Sequence, residues 1–110
     1  MTDREYLELA AKAADMDIAF DLPRATGKVP LDWDTGEPWN PLTDDGDALR
    51  LAARLRLTVG DEDHSVRSMA FAYAGHTDMP RCYEPSQEDP AAAYRRAIVR
   101  AAAQIGEDMK

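Results

Sequence analysis

Prolines constrain the fold of this chain more than any other residue type. A proline inside a helix removes a hydrogen bond and clashes with the preceding turn, so closely spaced prolines exclude a regular helix. Four of the seven prolines lie within residues 23–43: Pro23, Pro30, Pro38 and Pro41. This segment therefore separates an N-terminal helix from the later ones. Within it, Val29, Leu31 and Trp33 alternate with Pro30 and Asp32, which predicts a short edge strand.

Three helices are predicted, each beginning at a residue whose side chain can accept a hydrogen bond from the first turn. The expected N-cap residues are Thr2, Thr43 or Asp44, and Asp89. Pro90 suits the first position of the third helix because its missing amide needs no partner there. Gly106 is expected at the C′ position, so this helix should span about 90–105.

Short strands fill the intervals between the helices. Strands are expected at 18–22, 29–33, 55–59, 66–73 and 81–83, with polar turns at 60–63 and 75–78. In the strand at 66–73, Met69, Phe71 and Tyr73 share one face and small residues share the other. We predict one domain, 1–110, of class α+β. It should contain a mostly antiparallel sheet of four to five short strands, layered with three helices in the order α-β-β-α-β-β-β-α.

Charge limits the possible partners. The net charge is −8, and residues 1–50 carry 12 acids against 5 bases, a net of −7. Phosphates would be repelled, so no direct nucleic-acid partner is expected. No apolar run is long enough to cross a bilayer, so no membrane partner is expected. The lone cysteine, Cys82, cannot pair within the chain and fits a reducing compartment, which predicts a cytoplasmic location.

No motif predicts an active site or a metal centre. Asp34-Thr35-Gly36 matches the triplet of aspartic proteases, but its flanking Asp32 and Glu37 would disturb proton sharing, so we interpret it as a turn. The start of a calcium loop at Asp32 fails at its required glycine and glutamate. The cluster Asp61, Asp63 and His64 lacks a fourth ligand, and His64 and His76 are single histidines in turns. We therefore predict a protein that is not an enzyme, with no catalytic residue, cofactor or metal.

Three runs resemble a known family. They are YLELAAKAA at 6–14, WNPLTDDGDALRLA at 39–52 and YRRAIVRAAA at 94–103. Together they resemble the phage ABA sandwich domain, a family of small phage and prophage proteins of unknown function. The resemblance implies a helix/sheet/helix layering and a phage-derived gene, and it transfers no activity. Residues 22–36 and 75–85 depart from the family pattern.

Protein binding is the function that this sequence favours. Trp39 is expected to anchor a loop in the core, whereas Trp33 is expected to be exposed. The candidate interaction residues are Trp33, Asp34, Glu37, Asp44, Asp45 and Asp47. The partner would be a host or phage protein. One specific form is inhibition of a host defence complex such as a CRISPR effector, whose basic channels attract carboxylates. The alternative is a structural or housekeeping phage protein that forms a homodimer through an edge strand.

Overall fold

The structure is a computed structural model that describes residues 1–21, 30–64, 67–75 and 78–109. It contains three helices and five strands in the predicted order. These are α1 (Asp3–Ala13), β1 (Ile18–Ala19), β2 (Leu31–Asp32), α2 (Asp45–Arg54), β3 (Leu57–His64), β4 (Arg67–Ala74), β5 (Cys82–Pro85) and α3 (Pro90–Asp108). The predicted α+β class is confirmed. Val29, Val66, His76 and Thr77, which the sequence placed in strands or turns, lie outside the described residues.

The strands form two antiparallel sheets. β1 pairs with β2 in a two-residue ladder, and β3, β4 and β5 form a three-stranded sheet in that order. β2 ends after Asp32 because the chain turns back at once, with an isolated bridge between Leu31 and Pro38. The proline-rich segment thus contributes a small hairpin of its own.

The predicted helix starts are confirmed. Thr2 and Glu5 form the capping box of α1. Asp44, not Thr43, caps α2, because its Oδ2 accepts a hydrogen bond from the Asp47 amide at 2.8 Å. Asp89 caps α3 by accepting a hydrogen bond from the Ala92 amide at 3.0 Å, with Pro90 at the first helical position.

The turn predicted at 60–63 is wrong, because β3 continues through it to His64. Gly60 lies opposite Phe71 on β4, and a Cβ built on Gly60 would come within 2.6 Å of the Phe71 ring. Because Gly60 has no side chain, the Phe71 ring can lie over β3 at this position. Asp61, Glu62 and Asp63 occupy an edge strand, where charged side chains are tolerated and discourage pairing with another chain.

The predicted end of α3 at Gly106 is also wrong, because the helix continues to Asp108. Gly106 is buried against α1, and a Cβ there would lie 2.0 Å from the Leu9 carbonyl oxygen. Gly106 therefore permits a close contact between α1 and α3 and does not adopt a left-handed C-cap conformation. The left-handed positions that follow α1 and α2 hold Asp15 and Arg56, both with φ of 55°.

The helices lie on one face of the three-stranded sheet. Ala70, Ala72 and Ala74 of β4 are buried and form a flat surface on which α3 packs, while α1 and α2 pack on α3. α2 also contacts β3. The larger residues of β4, Phe71 and Tyr73 among them, lie on the opposite face and are not part of the core cluster. The helix/sheet/helix layering that the resemblance implies is therefore not met by the described helices. Close packing against the sheet needs small residues, and those of β4 lie on one face only.

Replacing Gly106 with alanine should test the helix contact. Alanine favours a helix interior by about 1 kcal/mol over glycine. Here its methyl group would meet a backbone oxygen, so Gly106→Ala should lower the free energy of unfolding by about 2 kcal/mol or more. Urea denaturation followed by circular dichroism measures the change.

Gly75→Ala is the matched control, since a Cβ at Gly75 meets only ordinary contacts at 3.6 and 3.7 Å. It should change the free energy of unfolding by less than about 0.5 kcal/mol. A Gly106→Ala variant as stable as the wild type would contradict the close approach of α1 and α3.

Candidate functional site

Residues 32–37 form a tight turn, called the Trp33 turn below. The Asp32 amide donates to the Glu37 carbonyl at 2.9 Å, and the Gly36 amide donates to the Asp32 carbonyl at 2.8 Å. The Asp32 carboxylate accepts a hydrogen bond from the Asp34 amide at 2.9 Å, and the Thr35 hydroxyl accepts one from the Glu37 amide. Gly36 has a φ of 74°, which a residue with a side chain rarely adopts. The side chains of Asp32 and Thr35 thus fix the backbone of the turn, while those of Asp34 and Glu37 are exposed.

The Trp33 turn is tied to the rest of the fold on both sides. The Trp33 amide donates to the Asp17 carbonyl at 3.0 Å, which extends the ladder between β1 and β2 by one residue. Beyond the turn, the Trp39 amide donates to the Pro30 carbonyl at 2.8 Å, and the Trp39 side chain is buried in the core, as predicted. The Trp33 side chain is 54% exposed, also as predicted. A fixed backbone therefore presents an open tryptophan to solvent.

Several carboxylates surround this tryptophan. Asp34 and Glu37 lie in the turn and are exposed, and Asp15 and Asp17 are exposed on the adjoining segment. None of the four forms an ion pair with a basic side chain in the described part of the chain. Among the described residues, one cation borders them, since the Arg54 guanidinium reaches the Asp15 carbonyl at 3.4 Å. Within the described part of the chain, carboxylates therefore outnumber cations around Trp33.

The remaining candidates, Asp44, Asp45 and Asp47, have structural contacts at the start of α2. Asp44 caps the helix, and Asp45 forms a 2.6 Å ion pair with Arg95. Asp47 is only 9% exposed; its carboxylate accepts hydrogen bonds from the Asn40 amide at 2.9 Å and from Arg50 at 2.8 Å. The structure thus separates the six predicted residues into the open Trp33, Asp34 and Glu37 and a second group that holds a loop to α2.

The arginines of α3 are paired with acids on neighbouring elements. Besides its contact with Asp45, Arg95 donates to the Leu42 carbonyl at 2.9 Å. Arg96 pairs with Asp3 of α1 at 3.1 Å, and Arg100 pairs with Glu84 of β5 at 2.7 Å. These pairs connect α3 to its neighbours, so α3 presents no free basic surface for phosphates.

The described residues contain no obvious reaction centre. Over residues 1–21, 30–64, 67–75 and 78–109, no three potential metal ligands converge. Asp34, Thr35 and Gly36 lie in the exposed turn. Cys82 is 2% exposed, and burial raises the pKa of its thiol, an effect that the Arg100 guanidinium opposes. A buried thiol with a raised pKa is a poor nucleophile.

Sequence reasoning missed two features of this surface. Asp15 and Asp17 were interpreted only as residues beyond the end of α1, because their proximity to Trp33 depends on the pairing of β1 with β2. The second feature is the open sheet face around Phe71 and Tyr73. Alternation along β4 predicted that these rings share a face, but not that the described helices all pack on the opposite face.

Asp47→Ala tests whether the acids at the start of α2 stabilise the fold more than the exposed acids of the Trp33 turn do. The substitution removes the acceptor of the half-buried Asn40 amide, so the free energy of unfolding should fall by about 1–3 kcal/mol. Asp34→Ala, a change of equal charge in the Trp33 turn, should cost less than about 0.5 kcal/mol. Urea denaturation compares the two. Equal losses would contradict the division of the acidic residues.

None of the helices in the described part of the chain is long and apolar enough to cross a membrane. The chain matches no protein-family model, no curated protein and no solved structure. The resemblance to the phage ABA sandwich domain thus stays a prediction, and any statement on function must come from the geometry of the surface.

Proposed function

We propose that this protein acts by protein binding and that the Trp33 turn docks on a basic surface of its partner. The observation that carries the proposal is the 54% exposure of Trp33 on a turn whose backbone is fixed by its own hydrogen bonds. Tryptophan is enriched among the residues that dominate binding energy. A rigid turn also loses little conformational entropy when it binds.

The charge around Trp33 supports a basic partner. Four exposed acids lack basic partners among the described residues: Asp15, Asp17, Asp34 and Glu37. The acids at the start of α2 instead form ion pairs with Arg50 or Arg95. Uncompensated carboxylates attract a basic protein surface over about one Debye length and raise the association rate. The same charges repel the phosphates of nucleic acids and of anionic lipids.

A host complex that handles nucleic acid is one class of partner with such a surface. Its basic channel would accept the carboxylates of the Trp33 turn, and the indole could fill a pocket at the channel rim. The resemblance to small phage proteins supports this setting and the proposal that the protein inhibits a defence complex such as a CRISPR effector. The protein would then act by occupying the channel and not by chemistry.

Comparative affinity capture from a bacterial lysate tests the proposal. Wild type, Trp33→Ala and the double variant D34N/E37Q are immobilised at low salt, and captured proteins are quantified by mass spectrometry. The double variant E107Q/D108N is the matched control, since it removes the same charge from exposed residues at the end of α3. We expect one basic partner that the control retains, whereas Trp33→Ala and D34N/E37Q each weaken its binding at least about tenfold.

Salt dependence provides a second criterion. Binding driven by the acidic turn should weaken steeply as the salt concentration rises from about 0.05 M to about 0.5 M. A partner captured equally by all four proteins would contradict the role of the Trp33 turn. Capture of no stoichiometric partner by the wild type, even at low salt, would contradict protein binding by this turn.

A further inference from the structure

The face of the three-stranded sheet that points away from α3 carries a second, chemically different surface. Its central residues are Met69, Phe71 and Tyr73 on β4, with Tyr83 on β5 directly opposite Phe71. All four are half-buried, and none belongs to the core cluster. We call these residues, together with Arg81 and Glu62, the outer sheet face. No described helix packs on it, since α3 lies against the alanine face of β4.

The rings on this face form one continuous layer. The Phe71 ring lies 6.0 Å from the Tyr73 ring and 6.1 Å from the Tyr83 ring, measured between centroids. The Arg81 guanidinium lies over Phe71 at 4.9 Å and over Tyr73 at 4.6 Å. Its Nη1 also contacts Glu62 at 2.6 Å. Aromatic rings bury a large apolar area on contact with another protein, and the ion pair between Arg81 and Glu62 adds a polar contact on the same face.

Charge distinguishes this face from the rest of the molecule. The ion pair between Arg81 and Glu62 lies over the middle of the face, and Arg67, at its far end, adds one more cation. The chain as a whole carries a net charge of −8. Two copies would repel each other at the Trp33 turn, whereas the described residues of the outer sheet face carry no such excess of negative charge. In a two-fold arrangement, Arg81 of each copy can meet Glu62 of the other, so the face is complementary to itself.

The edge of the sheet offers a poorer contact between copies. β3 is an edge strand, but Asp61, Glu62 and Asp63 follow one another along its second half. Antiparallel pairing of two such strands would bring these acids close to the same region of the partner strand. A homodimer through the β3 edge is therefore less favourable than packing of one sheet face on another.

We propose that two copies of this chain associate through the outer sheet face, with the sheets packed face to face around a two-fold axis near Phe71. Three strands about 4.8 Å apart give a face of roughly 14 by 25 Å. That is roughly half the area per partner of a standard stable interface, which is about 800 Å². The dimer should consequently be weak and form only at high protein concentration. Both Trp33 turns would remain available to a basic partner.

Sedimentation equilibrium of the purified protein tests this proposal, at concentrations from about 10 μM to about 1 mM. Because the copies repel at long range, dimerisation should strengthen several-fold as salt rises from about 0.05 M to about 0.5 M. This is the opposite of the salt effect expected for binding of a basic partner. The dimer also needs no partner, so it can exist even if the Trp33 turn binds nothing.

Substitutions locate the interface. Tyr73→Glu places two new carboxylates in the dimer and should weaken it at least about tenfold. Leu49→Glu adds the same charge at a 69% exposed position on α2 and should leave dimerisation nearly unchanged, as should Trp33→Ala. Circular dichroism verifies that each variant is folded. Loss of the dimer with Trp33→Ala would overturn the proposal by assigning the contact to the turn.

Two charge-reversal variants, tested separately and as a mixture, distinguish an ion pair between copies from one within a single copy. Glu62→Arg gives the face an excess of guanidinium groups, and Arg81→Glu gives it an excess of carboxylates, so each variant alone should be monomeric. An equimolar mixture of the two variants should form heterodimers. If Arg81 and Glu62 contacted each other only within one copy, mixing would have no such effect. A mixture that stays monomeric, or a wild-type protein that stays monomeric at about 1 mM and high salt, would overturn the proposal. Competition for the dimer by a single-stranded uridine oligonucleotide would instead assign the aromatic face to nucleic acid.

Discussion

The contact of α1 with α3 is the interaction on which the rest of this fold depends. Gly106 allows the Leu9 carbonyl to approach the α3 backbone, and small buried residues such as Ala10 and Ala102 line the two helices. Arg96 reaches Asp3 near the start of α1, and Lys12 reaches the Met109 carbonyl near the end of α3, so the helices run side by side in the same direction. α3 of this pair packs on one side of the sheet, and none of the described helices packs on the other side.

The same packing explains how the acidic charge is divided. Because α3 lies between the other helices and the sheet, its arginines reach acids on several neighbouring elements, among them Asp3, Asp45 and Glu84. The hairpin that carries Trp33 lies outside this network. Its Asp34 and Glu37 face solvent without basic partners among the described residues. Solvent-exposed pairs stabilise a fold little, so the paired arginines contribute more to positioning than to stability.

The sequence predicted the features that depend on local chemistry. Thr2, Asp44 and Asp89 were identified as N-caps because capping needs only a side-chain acceptor and the next turn. Glycine was harder to interpret, because it occurs both at left-handed C-caps and where two backbones approach closely. Gly106 has the position expected of a C-cap but serves a helix contact, whereas Asp15 and Arg56 adopt the left-handed conformation without glycine. The candidate site was predicted in part: the exposure of Trp33 follows from its place among prolines, but the pairing of Asp47 with Asn40 depends on tertiary packing.

Carboxylate footprinting can show directly whether the acids divide into a structural group and an exposed group. The native protein is treated briefly with a carbodiimide and an amine, and modification of each carboxylate is quantified by mass spectrometry. We expect fast modification of Asp34 and Glu37 and slow modification of Asp47 and Glu84, whose side chains are 12% and 18% exposed. Unfolding in urea should make all four react at similar rates. Equal rates in the native protein, or protection of Asp34 and Glu37, would contradict the division from which the binding surface is inferred.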